Sequence, residues 1–128
     1  MKAEDVVVDV GCGNSPRMAL VRDLNIAFAT GDLDAILLWL DDDVTWNLVG
    51  MTRLDGKAAV GQWLREKASD LPTSMEIETI LSHGKLASAS GTIAWGDDTW
   101  AMSGVYVFRS AARTARIAQI DTFLIRLG

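Results

Sequence analysis

From Met75 to the C-terminus the chain is written as strands, and nothing else in it constrains the fold as tightly. Residues 75–82 alternate and break at His83-Gly84-Lys85; residues 86–95 break at Gly96-Asp97-Asp98. Residues 99–109 and 116–127 follow, joined by the looser stretch 110–114. Short glycine-bearing breaks between alternating runs are hairpin signals, so four successive strands make an antiparallel meander. A period of two places Trp100, Met102, Tyr106 and Phe108 on one face of the third run. On the first, Glu76 and Glu78 share a face opposite Met75, Ile77 and Thr79.

The first half carries helix signals instead. Pro16 suits a first helical turn with Ser15 as its cap, and Leu20, Leu24, Ala27 and Phe28 recur at helical spacing before Gly31. Asp32 can cap a second helix bearing Leu33, Ile36, Leu37 and Leu40. Asp41-Asp42-Asp43 is expected to stop it, because acids are unfavourable at a helix C-terminus. Residues 44–49 read as a strand with Val44, Trp46 and Leu48 on one face. A third helix starts near Gly56 and presents Val60, Trp63, Leu64 and Ala68 before Pro72. The expected fold is α+β, a mainly antiparallel curved sheet whose concave face is covered by three N-terminal helices. Residues 1–128 are read as one domain, with 1–16 as an N-terminal arm.

Charge and cysteine content narrow the function. Twelve Lys and Arg against 17 Asp and Glu give a net charge of -5, which disfavours a general nucleic-acid binder. No apolar run reaches the roughly 18–20 residues of a membrane span. Glu4 and Asp5 stand where an export signal places positive charge, so a cytoplasmic location is expected. The lone Cys12 excludes an internal disulfide and a multi-cysteine metal site.

Three local patterns and their order resemble the nuclear-transport-factor-2-like superfamily, in its SnoaL-like and ketosteroid-isomerase-like bacterial branch. They are Ala27-Phe28-Ala29-Thr30-Gly31-Asp32-Leu33-Asp34-Ala35, Leu40-Asp41-Asp42-Asp43-Val44-Thr45-Trp46, and Leu54-Asp55-Gly56-Lys57-Ala58-Ala59-Val60. The likeness covers residues 17–127. It implies a cone-shaped pocket between sheet and helices, and homodimers formed through the outer sheet face. This scaffold hosts isomerases, cyclases, hydrolases and plain binding domains, so chemistry has to be argued from the site. Ketosteroid isomerases carry a carboxylate in the stretch corresponding to Trp46-Asn47-Leu48, and none is present here. Nor does the sequence single out the Asp–Arg–Asp set of limonene-epoxide-hydrolase-like members.

Several louder features have plainer explanations. Val7-Val8-Asp9-Val10-Gly11-Cys12-Gly13-Asn14 resembles the first methyltransferase motif, a strand and glycine turn before a cofactor. The helix at 17–30 leaves no room for the second parallel strand that such a site needs. His83 sits at a hairpin tip, and a solvated turn residue is expected. Three consecutive Asp side chains point in different directions, so Asp41-Asp42-Asp43 is not a converging cation site. Arg109, Arg113 and Arg116 surround the last connection as a solvated loop.

The expected pocket lining is Phe28, Trp46, Leu48, Trp63, Trp100, Met102, Phe108 and Phe123. Asp121 is the candidate catalytic acid or base. If Phe123 and Ile125 point inward, alternation sends Asp121 inward among the aromatics, where desolvation would raise its pKa. If Ile120, Thr122 and Leu124 point inward, it faces outward. Both faces carry apolar residues, so alternation leaves the register open. Tyr106, or an indole N–H of Trp46 or Trp100, would steady a developing oxyanion. Expected, then, is a small-molecule-binding protein, cofactor-independent and metal-free, holding an apolar ligand for acid–base chemistry. The alternative is a non-catalytic ligand-binding or dimerisation domain.

Overall fold

Ser15 Oγ accepts from the backbone N–H of Met18 at 3.2 Å, so the first helix, α1 (Pro16–Thr30), begins where the cap and proline demand. It ends at Gly31, whose φ of 76° is the left-handed conformation that glycine tolerates. The computed structural model describes residues 1–9 and 11–127. Val10, part of the glycine-turn motif, and Gly128 lie outside the described residues.

Helix α2 (Leu33–Leu37) is capped by Asp32 as expected but stops earlier than Leu40. Leu40 instead opens strand β2 (Leu40–Leu48) and is fully buried. The three aspartates therefore lie within a strand. Asp41 and Asp43 both accept from the guanidinium of Arg109, which compensates their charge across the sheet. A register shift between Leu40 and Thr45 lets Val44 bury while its acidic neighbours face out.

Strand β3 (Thr52–Asp55) pairs back on β2, with Trp46 opposite Leu54. It has one buried residue, Leu54, and so no periodicity by which to see it. Helix α3 (Lys57–Glu66) follows with Val60 buried; Ala68, expected on the same stripe, lies beyond the helix and is exposed.

The meander forms as β4 (Ser74–His83), β5 (Leu86–Trp95), β6 (Asp98–Phe108) and β7 (Ile117–Leu127). The two-residue strand β1 (Val7–Val8) from the N-terminal arm pairs with β4, and the sheet order is β1-β4-β5-β6-β7-β2-β3. Among the described residues, only the β1–β4 and β2–β7 pairs are parallel. The curved sheet is open, with the three helices on its concave side. Its arrangement is that of an α+β domain, far from the alternating parallel units a methyltransferase-like motif would require.

A bulge between Ile77 and Thr79 changes the face of β4 half-way along. Ile80 is buried while Thr79 is exposed, so the alternation expected for residues 75–82 holds only up to Ile77. Gly91 lies opposite Ile77; a Cβ there would collide with the carbonyl oxygen of Glu76, an approach only glycine permits. Among the described residues, no helix is long and apolar enough to cross a membrane.

Candidate ligand-binding site

Alternation on four strands and the inward stripes of α1 and α3 enclose a cavity of about 440 Å³. The size falls within the range of small-molecule pockets. Its walls are mostly apolar. Trp46 is the centrepiece, with its ring centroid 6.3 Å from Phe28 and 6.1 Å from Trp63. Such edge-on and tilted contacts fix ring orientation beyond what area burial alone would do. Leu48, Trp100 and Met102 also line the cavity.

Two polar pairs are set into this wall. On α1, the side-chain amide nitrogen of Asn25 donates to Val21 O at 2.8 Å and to Tyr106 Oη at 3.0 Å. Between β2 and β7, Trp46 Nε1 donates to Thr122 Oγ1 at 2.9 Å. Burial pushes the Tyr106 phenol above its ordinary pKa of 10.0, and the Asn25 bond opposes this only in part. At neutral pH Tyr106 is therefore a neutral hydroxyl. Asn25, Ala89 and Ile93 are lining residues that sequence reasoning did not single out, and Thr122 entered it only through one of the two registers of the last strand. Asn25 did leave a trace, as an amide on the same helical stripe as Val21 and Phe28.

Asp121 is not in the cavity. Tyr106 pairs with Ile120 across the β6–β7 ladder, and Trp46 pairs with Ile120 on the other side. Directly paired residues share a face, so inward Tyr106 and Trp46 force Ile120, Thr122 and Leu124 inward. Asp121 falls on the outer face opposite Val105, half-buried, and accepts from Gln119 Nε2. This corrects the inward placement on which its proton-transfer role depended. Phe123 is corrected with it, being 41% exposed on that same outer face.

Phe108 is a second correction. It is buried on the same face of β6 as Tyr106 but outside the cavity lining, because at this end of the strand, where β7 carries the extra residue Ala118, the ring lies under the start of α1. There the Arg17 guanidinium stacks 3.8 Å over it while donating to the carbonyls of Ser110 and Ala112.

The remaining charged candidates lie outside the cone or at its mouth. His83 is exposed at its hairpin. Arg109 with Asp41 and Asp43 forms an Asp–Arg–Asp cluster, but none of the three lines the cavity. Lys67, Asp70 and Asp98 touch it only from the exposed rim, where Trp95 Nε1 donates to Asp70 O at 3.1 Å. Among the described residues, no group of three His, Cys, Asp or Glu side chains is placed to hold a metal ion.

The sequence matches the SnoaL-like domain family over residues 21–120. No curated protein matches it. Among solved structures, an NTF-2-like protein of unknown function from Burkholderia xenovorans is 19% identical, with a TM-score of 0.71 over 89% of each chain. An LEH-like epoxide hydrolase from M. tuberculosis is 19% identical at a TM-score of 0.64, covering 85% of this chain and 82% of its own. The epoxide hydrolase/cyclase-like enzyme SalBIII, of pyran ring formation in the polyether salinomycin, is 17% identical at 0.69, covering 84% and 89%. At such identities the likeness is one of fold.

Proposed function

The chain belongs to the SnoaL-like domain family, and from that footing we propose that it binds one small, largely apolar molecule in the cone. The observation that carries this is the cavity itself: about 440 Å³, walled by aromatic and aliphatic side chains, with a few hydrogen-bonding groups set among them. The small-molecule enzymes of like fold, the LEH-like epoxide hydrolase and SalBIII, support a compact organic occupant. Binding is favoured over acid–base catalysis because Asp121 stands on the outer face. The carboxylates that reach the cavity, Asp70 and Asp98, do so only at its rim. The reading includes a second copy of the chain on the outer sheet face. There bulky Phe123 and Ile125 lie across the ladder from small Ser103 and Ala101, a relief that a two-fold partner can mesh with.

The test of ligand binding is a calorimetric titration with 2-ethylnaphthalene, an apolar probe of suitable size. Saturable one-site binding on the order of 10 µM is expected for a ligand of this atom count. Ala89 is buried on the cavity wall, so Ala89→Phe should fill the space and abolish binding without loss of the fold. Asp121→Asn should bind as the wild type does. Absence of saturable binding, or an Ala89→Phe variant that binds normally, refutes the reading.

A further inference from the structure

The ligand class can be narrowed, on the footing of the cavity reading above. A backbone carbonyl only accepts, so the bond to Val21 O fixes which end of the Asn25 amide is nitrogen, and that nitrogen also donates to Tyr106 Oη. An indole nitrogen only donates, so Trp46 likewise feeds the Thr122 oxygen. Each hydroxyl therefore already accepts a hydrogen bond. Among the described residues, neither has a protein acceptor for its own proton.

The two hydroxyls are also neighbours. Tyr106 folds back over Gly104, so that a Cβ at 104 would stand 2.9 Å from Tyr106 Oη. Gly104 is paired with Thr122 across the β6–β7 ladder. Residues so paired stand about 4.5–5.5 Å apart, which brings both O–H groups to one patch of the wall. We propose that Tyr106 and Thr122 form a donor pair for a neutral oxygen acceptor, a carbonyl oxygen above all, on an otherwise apolar ligand. Hydroxyls whose acceptor sites are filled by N–H groups are polarised toward donation. An anionic ligand fits poorly. Lys67, the one lysine or arginine lining the cavity among the described residues, sits at the exposed rim, and an unpaired buried carboxylate is costly.

The test uses 2-acetylnaphthalene and 2-isopropenylnaphthalene, which share a skeleton and differ in C=O against C=CH2. In calorimetry the ketone should bind the wild type roughly fivefold or more tightly, the worth of one net hydrogen bond. Tyr106→Phe should bring that ratio toward unity. The infrared carbonyl stretch of the bound ketone should lie below its position in cyclohexane, and return toward it in Tyr106→Phe. If that variant fails to fold, the wild-type ratio and stretch decide. Hydrocarbon binding with no preference for the ketone, or an unshifted stretch, overturns the donor pair and leaves the cavity reading standing. If neither probe binds, the cavity reading falls and the donor pair with it.

Discussion

Thr122→Val isolates the polar pair that joins β2 to β7. Valine matches threonine in shape and in its preference for strands, so the substitution removes an acceptor and little else. Trp46 is 7% exposed, and its Nε1 lies 2.9 Å from Thr122 Oγ1. Losing the acceptor strands that N–H, at a cost of about 1–3 kcal/mol when water cannot replace it. The added methyl returns up to about 0.8 kcal/mol by burial, less here because Thr122 is only half-buried. The net loss is thus roughly 0.5–2.5 kcal/mol, which for a chain of this length lowers the midpoint by about 2–12 °C. Thermal unfolding followed by circular dichroism and calorimetry measures it. Thr122→Ser keeps the oxygen and should cost less than the valine variant. In a Trp46→Phe background there is no N–H to strand, so Thr122→Val should there be neutral or stabilising. A valine variant as stable as the wild type, or an equal loss in both backgrounds, would show that the bond contributes nothing and refute the reasoning.

Two further outcomes are expected. The folded phenol of Tyr106 ionises above its ordinary pKa of 10.0, so above that pH the unfolded chain has released a proton that the folded chain still holds. Stability should therefore fall as pH rises past 10 toward the folded pKa, and the fall should be shallower in Tyr106→Phe. Urea midpoints from about pH 9 to pH 11 measure this, and equal slopes in the two proteins would contradict it. Phenolate absorbance is assignable because Tyr106 is the sole tyrosine. On the outer face, sedimentation of the wild type should report a dimer and that of Ile125→Asp a monomer. Ile125 is 65% exposed in the single chain, so the change leaves the core alone. A monomeric wild type would remove the outer face as a contact.

The helix boundaries at Ser15, Pro16 and Gly31, the hairpin at His83-Gly84-Lys85, and the inward faces of β2 and β6 were legible in the sequence. Each is a local matter. A cap acts within one turn of its helix, and strand alternation reports which residues share a face without any knowledge of neighbours. That is why Trp46 and Leu48 could be placed on one face of their strand, and Trp100, Met102 and Tyr106 on one face of theirs; that both faces wall a cone was implied by the family resemblance.

The tertiary structure decided what depends on partners distant in sequence. Asp41-Asp42-Asp43 looks like a helix terminus until Arg109, more than 60 residues away, is seen to compensate the strand's charge. Asp121 could face either way on alternation alone, because both faces of its strand are apolar. The Tyr106–Ile120 and Trp46–Ile120 pairings send it outward. Asn25 meets Tyr106 across 81 positions of chain, and Trp46 meets Thr122 across 76. Periodicity carries information over a few residues; hydrogen bonds between strands and helices are set by how whole elements pack. So the sequence by itself determined the main helices, the meander and which residues share a strand face, and packing determined how those faces meet around a cavity and which polar atoms look into it.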